Sequence, residues 1–157
     1  MSVSDASAGG RGVVRDRVPL AKVAPPELPA MDVAETRASR MLAGPPAPVT
    51  VLVAPPGAGK TLTLTRWMRS TPTVADRVAW ATVDRNDNDV TSLWTTLLAA
   101  LRANPALAFD PGIAELSSAP AVAGVDESLI RQLGALIGPQ DPPFVLVVDD
   151  LHEITDP

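Results

Sequence analysis

The stretch Ala54-Pro-Pro-Gly-Ala-Gly-Lys-Thr61 decides how the whole chain is interpreted. It matches the phosphate-binding P-loop pattern, a glycine, four residues and then Gly-Lys-Ser/Thr, except that Ala54 replaces the first glycine. Residues 49–53 before it are apolar and β-branched, which predicts a buried parallel strand. A helix is predicted over residues 59–70. Because a P-loop lies between a strand and a helix, this context predicts a site for a nucleoside triphosphate.

The residue types in this loop suit an anion. Gly57 and Gly59 can adopt backbone angles that other residues avoid. Pro55 and Pro56 have no N–H group, so the N–H groups that bind phosphate must come from later residues. Lys60 would contact the β- and γ-phosphates, and the Thr61 hydroxyl would bind Mg²⁺. The predicted phosphate-binding residues are Gly57, Ala58, Gly59, Lys60, Thr61 and Leu62. The alternative is a Gly/Pro turn with a chance Gly-Lys-Thr.

A second apolar run, residues 144–148, ends on two acids. Asp149, at the carboxyl end of this predicted strand, would hold the Mg²⁺ through water. Asp150 would orient or activate an attacking water as the catalytic base, and a purely structural Asp150 is the alternative. Many buried strands end in Asp, so this run predicts a metal-binding carboxylate only in combination with the P-loop that precedes it.

The rest of the chain alternates between predicted helices and strands. Residues 1–17 are rich in Gly and Ser and predict a disordered tail, and residues 18–47 predict an extended Pro-rich lead-in with a short helix. Four elements are predicted around the two motifs: helices over 32–42, 92–103 and 126–137, and a strand over 78–83. This order predicts an α/β fold with a parallel sheet flanked by helices, a partial P-loop NTPase domain over residues 48–157.

Composition narrows the function. The net charge is −5 with 13 Lys and Arg in 157 residues, which argues against direct nucleic-acid binding by this segment. The longest apolar run has only the five residues 144–148, so no membrane span is predicted. There is no cysteine, which suits a cytoplasmic protein and excludes a thiolate site. The only histidine, His152, lacks a set of metal-binding partners and is expected to have a surface or hydrogen-bonding role.

Several stretches resemble one family, the nucleotide-binding domain of the large LuxR-type transcriptional regulators. These regulators form the maltose-regulator-like branch of the STAND ATPases. The resemblance extends over roughly residues 18–157. It is carried by Leu20-Ala-Lys-Val-Ala-Pro-Pro, the P-loop with the run before it, Val78-Ala-Trp-Ala-Thr-Val-Asp, Asn86-Asp-Asn-Asp, Leu93-Trp94, Leu97-Leu-Ala-Ala-Leu101, Leu146-Val-Val-Asp-Asp-Leu-His and Ile154-Thr-Asp-Pro.

The resemblance implies an ATP-driven switch with ATP and Mg²⁺ as cofactors and with ATP-dependent self-association. In this family a helical-repeat sensor and a DNA-binding helix-turn-helix follow, and both are expected partners that lie outside this chain. A central strand of the family's sheet also comes later in sequence. We therefore expect a fold that is incomplete at the C-terminus, with weak nucleotide binding and hydrolysis slower than about 1 per second.

Two other functions are open from the residues alone. One is a truncated or interaction module whose P-loop is idle. The other is a small-metabolite P-loop kinase, which would need an arginine-bearing lid after the second acid. No base-reading motif is visible, so the choice of ATP over GTP rests on the resemblance.

Overall fold

A computed structural model describes residues 18–28, 37–44, 47–108, 111–116, 127–137 and 144–155. The predicted tail over residues 1–17 and the first part of the helix predicted over 32–42 lie outside these ranges. The described elements are the helices α1 (Arg37–Leu42), α2 (Lys60–Ser70), α3 (Pro72–Ala75), α4 (Val90–Ala103), α5 (Pro111–Glu115) and α6 (Glu127–Ile137), and the strands β1 (Val78–Thr82) and β2 (Val145–Asp149). Short 3₁₀ helices occur at Leu20–Lys22, Arg85–Asp87 and Leu151–Glu153.

The two strands form a parallel sheet that has helices on both faces. β1 pairs with β2 from Val78 opposite Val145 to Thr82 opposite Asp149. Side chains alternate between the faces of a strand. Trp80 and Val147 therefore pack with α2 on one face, whereas Ala79 and Ala81 pack with α4 on the other. This arrangement confirms an α/β architecture with a parallel sheet flanked by helices.

The prediction of a buried strand over residues 49–53 is wrong. These residues are in no strand, and Val49, Val51 and Val53 are 79%, 76% and 86% exposed. Apolar β-branched residues favour extended backbone, but a buried strand also needs a neighbour that pairs with its N–H and C=O groups. Within the described residues the sheet consists of β1 and β2 alone, and residues 49–53 pair with neither strand.

Smaller differences have local causes. The lead-in was predicted as extended, yet it contains the 3₁₀ turn Leu20–Lys22, which Pro19 opens by accepting the Lys22 N–H at 2.9 Å. α4 begins two residues before its predicted start because the Asp89 side chain accepts the Ser92 N–H at 3.0 Å and caps the helix. Within the described ranges, every helix is too short or too polar to cross a bilayer.

Candidate phosphate and metal site

The loop before α2 has the backbone geometry that its two glycines permit. Gly57 and Gly59 both have a φ of 77°, in the left-handed region that residues with a Cβ rarely adopt. The chain turns at residues 55–58, where the Ala58 N–H donates to the Pro55 carbonyl at 3.2 Å. Gly59 is the N-cap residue of α2, so the loop enters the helix directly.

The start of α2 presents N–H groups that no helical carbonyl accepts. The first intrahelical hydrogen bond is donated by the Thr63 N–H to the Gly59 carbonyl at 2.9 Å. The N–H groups of Lys60, Thr61 and Leu62 come before it and have no helical carbonyl to accept them. The first turn contains no acidic residue, so the partial positive charge of the helix terminus is not neutralised locally. Among the predicted phosphate-binding residues, Lys60, Thr61 and Leu62 fit this role, whereas the Ala58 N–H is already used within the loop.

The Lys60 ammonium lies against its own loop. Its Nζ donates to the Ala54 carbonyl at 2.9 Å and to the exposed Pro55 carbonyl at 3.3 Å. These contacts keep a positive charge against the loop that leads into α2. The contact with Pro55 is long and exposed, so a charged phosphate oxygen would compete well for that hydrogen.

Asp149 lies at the carboxyl end of β2 and is 5% exposed. Its backbone carbonyl accepts the Val83 N–H at 3.1 Å, which extends the ladder past β1. One carboxylate oxygen, Oδ1, accepts the N–H of Asp150 at 3.1 Å. Asp150 itself has a φ of 58° and a ψ of 29°, a left-handed conformation unusual for a residue with a side chain.

The contact between α2 and the sheet that the structure shows is at the end of the helix. Met68, near the end of α2, and Val78, at the start of β1, line the same cavity of about 240 Å³. Among the described residues, no hydrogen bond or ion pair joins the loop at residues 54–61 to Asp149 or Asp150. The cavity itself has no charged side chain in its lining and therefore does not suit a triphosphate.

The oxygen donors fit Mg²⁺ carried by a nucleotide better than a metal held by protein alone. Within the described ranges, no three His, Cys, Asp or Glu side chains form a group that could hold a metal ion. Mg²⁺ is usually held by one or two carboxylates together with phosphates and waters. Asp149 and the Thr61 hydroxyl are donors of that kind. His152 is 62% exposed and lies 3.9 Å from an Asp150 oxygen and 3.6 Å from a Glu153 oxygen, as expected for a surface role.

Sequence reasoning missed a charged network at the same edge of the sheet. The Lys22 ammonium lies 2.5 Å from Asp87 Oδ2 and 3.0 Å from Asp84 Oδ2. Asp87 is 3% exposed, and its other oxygen accepts the Thr96 hydroxyl at 2.6 Å. Lys22 and Asp87 are 65 residues apart in sequence, and no local spacing rule predicts such a pair. The available signal was that both lie in stretches that resemble the same family.

The network changes two pKa values. Burial alone would lower the pKa of Lys22, but its hydrogen bonds to Asp87 and Asp84 and their charges outweigh burial and raise that pKa. The pKa of Asp84 is lowered by the hydrogen bond from Lys22 and then by the backbone N–H of Asn86. Both shifts favour the charged forms, so Lys22 and Asp84 form an ion pair near neutral pH.

Comparison of the chain with models of known protein families gave no match, and comparison with curated proteins gave no significant match.

Proposed function

We propose that this chain binds ATP with Mg²⁺ and acts as the nucleotide-dependent switch of a cytoplasmic, signal-transducing transcriptional regulator. The observation that carries the proposal is the loop at residues 54–59, where left-handed Gly57 and Gly59 lead into α2 beside the Lys60 ammonium. This combination of free helical N–H groups, a cation and flexible loop backbone is what a triphosphate requires.

Each candidate residue would have a separate role at the phosphates of the nucleotide. Lys60 and the N–H groups of Lys60, Thr61 and Leu62 would hold the phosphates. Thr61 and Asp149 would hold Mg²⁺, which neutralises phosphate charge when bound. Asp150 is the proposed base, and its carboxylate is 42% exposed and able to contact water. We expect hydrolysis by this chain alone to be slower than about 1 per second.

The regulatory part of the proposal rests on the family resemblance and on charge. A net charge of −5 does not suit DNA binding by this segment, so a separate DNA-binding region and a sensor region are the proposed partners. Nucleotide binding would then be transmitted through self-association or through contacts with those regions.

An interaction module with an idle P-loop is the second candidate. Two observations favour it: the Lys60 ammonium is already hydrogen-bonded to loop carbonyls, and the apolar residues before the loop are exposed. The two candidates differ in one measurable property, which is nucleotide affinity.

Calorimetric titration of the full chain with ATP–Mg²⁺ tests the proposal. We expect binding, and we expect Lys60→Ala to weaken it by about tenfold to a hundredfold because a charge-assisted hydrogen bond to phosphate is lost. Arg69→Ala is the matched control, since it removes an exposed cation from the last turn of the same helix. Absence of binding by the unmutated chain would favour the idle P-loop, and equal losses in both variants would point to general charge attraction.

A further inference from the structure

The cavity of about 240 Å³ that Met68 and Val78 line lies beside the open edge of β1. Its walls come from the lead-in at residues 23–25, from β1 and from the ends of α2 and α4. The described lining includes no residue of β2, which pairs with the other edge of β1. The cavity therefore lies on the side of β1 that has no strand partner among the described residues.

The peptide groups on this open edge are unpaired. In a strand, the N–H and C=O groups of successive residues point alternately to its two edges. The Val83 N–H donates to the Asp149 carbonyl at 3.1 Å, so Val83 faces β2. Val78 and Trp80 are an odd number of residues away and face the open edge, where no described residue pairs with their backbone groups. Val78 is 9% and Trp80 1% exposed, so water has little access to them.

A second unpaired polar group belongs to the same cavity. Asn104, the residue after α4, is 2% exposed and is part of the lining. Its Oδ1 accepts the Ala106 N–H at 2.9 Å, which identifies this atom as the amide oxygen and the other as the nitrogen. Nδ2 has no hydrogen-bond partner. A buried donor without a partner is costly, so such a group indicates an acceptor that the chain itself does not supply.

The size and the lining of the cavity restrict the ligand. A cavity of roughly 150 Å³ holds benzene, so the larger volume here suits a small ring with one short substituent. The described lining contains no charged side chain and is mostly apolar, and burying a charged ligand there would be costly. The unpaired groups include both donors and acceptors. An amide matches them, because its oxygen accepts and its N–H groups donate.

We propose that this cavity is a binding site for a small uncharged amide with an apolar body. The amide oxygen would accept the free hydrogen of Asn104 Nδ2, and an amide N–H would donate to a carbonyl of the open edge of β1. The described lining shares no residue with the phosphate-binding loop at residues 54–62. The proposal is therefore independent of the proposed nucleotide binding.

Titration of the full chain with benzamide, followed by ¹H–¹⁵N NMR, tests the proposal. We expect saturable shifts of the Asn104 side-chain amide and of the backbone N–H signals of Val78 and Trp80, with a dissociation constant of about 1 mM for a ligand of this size. Toluene keeps the ring but lacks the amide, and benzoate replaces the amide by a charge. Both should bind at least about tenfold more weakly.

Ala103→Leu tests the location of the site. Ala103 is an exposed residue of the lining in the last turn of α4, so a leucine there would fill part of the cavity. Alanine and leucine both favour helix, and we expect the fold to be retained while benzamide affinity falls at least about tenfold. Thr91→Leu is the matched control, because it places a leucine at an exposed position of the same helix outside the lining. It should leave the affinity unchanged.

Three results would each overturn the proposal. Absence of saturable shifts at Asn104 and Trp80 would mean that water alone satisfies these groups. Toluene binding as tightly as benzamide would mean that the cavity has no preference for an amide. Equal benzamide affinity in Ala103→Leu and in the unmutated chain would place the ligand elsewhere. The ligand comparison uses the unmutated chain, so it decides the proposal even if Ala103→Leu does not fold.

Discussion

The two halves of the candidate site are supported very differently. The acid edge, which we define as residues 84–89 and 149–155, is joined by hydrogen bonds and ion pairs between segments more than 60 residues apart in sequence. The loop entrance, residues 47–59, has no buried residue, and its valines face solvent. Both halves carry residues with the chemistry of a nucleotide site.

The difference shows what motif residues need in order to become a site. At the acid edge, Asp149 ends a strand that is paired along its length, so its position follows from the sheet. At the loop entrance, the glycines set the local turn, but residues 49–53 do not fix that turn to a sheet. Local backbone chemistry therefore shapes a loop, whereas strand pairing determines where the loop lies.

The largest expected effect tests whether the acid edge depends on its buried charge pair. Lys22→Met leaves Asp87, which is 3% exposed, without its cation. Removing one partner of a buried pair leaves an uncompensated charge, so we expect a loss of about 3 kcal/mol in the free energy of unfolding. The measurement is urea denaturation followed by tryptophan fluorescence.

Arg85→Met is the control for this substitution. Arg85 is a cation of the same edge whose side chain is 90% exposed, and losing such an ion pair should cost below about 0.5 kcal/mol. Equal losses for Lys22→Met and Arg85→Met would mean that Asp87 is hydrated in solution and that the acid edge is no better supported than the loop entrance.

Lys22 and its second partner, Asp84, predict a pH dependence of stability. The pKa of Asp84 lies below its ordinary value of 3.8, so its contribution to stability is present above that pH and is lost as pH falls through the lowered pKa. The pKa of Lys22 lies above 10.5, so its contribution is present below that pH and is lost as pH rises through the raised pKa. The stability difference between the unmutated chain and Lys22→Met should thus be largest between these limits and shrink in acid and in alkali.

An intermediate effect compares the same substitution in the paired strand β2 and in the unpaired segment 49–53. Val147 in β2 is 7% exposed, and Val51 in the loop entrance is 76% exposed. Val147→Ala should cost about 2 kcal/mol through lost burial and a cavity, and Val51→Ala below about 0.5 kcal/mol. Denaturation of both variants under one set of conditions provides the comparison. A loss for Val51→Ala as large as that for Val147→Ala would show that residues 49–53 are buried in solution.

These two valines also show what the sequence predicts and what it does not. The apolar runs 49–53 and 144–148 have nearly the same composition, and both were predicted as buried strands. Only the second run forms a paired strand, and its partner is β1 at residues 78–82. Because this partner is distant in the chain, the composition of the run does not reveal the pairing. Helices were predicted more accurately because their periodicity is a local signal, although the Asp89 cap was missed and α4 begins two residues before its predicted start. The contacts of Lys22 depend on tertiary structure, and sequence spacing did not reveal them.

The smallest effect tests the backbone conformation of the loop entrance with Gly→Ala substitutions. Gly59 and Gly134 both have open space where a Cβ would be added, but only Gly59 has a positive φ, of 77°. Gly59→Ala should therefore cost roughly 1–2 kcal/mol in the free energy of unfolding if the left-handed conformation is maintained. Gly134→Ala, within α6, should increase stability by about 0.5–1 kcal/mol because alanine loses less backbone entropy in a helix.

The change in stability of Gly59→Ala shows how far the loop conformation is determined by the loop's own sequence. The space around this position is open, so a loss of stability in Gly59→Ala can come only from backbone conformation and not from a clash. If Gly59→Ala were as stable as the unmutated chain, the loop would relax to a negative φ at little cost, because residues 49–53 do not hold it against a sheet. The phosphate-binding geometry would then depend on the ligand or a partner strand. In that case Gly59→Ala should reduce the free energy of ATP binding more than it reduces the free energy of unfolding.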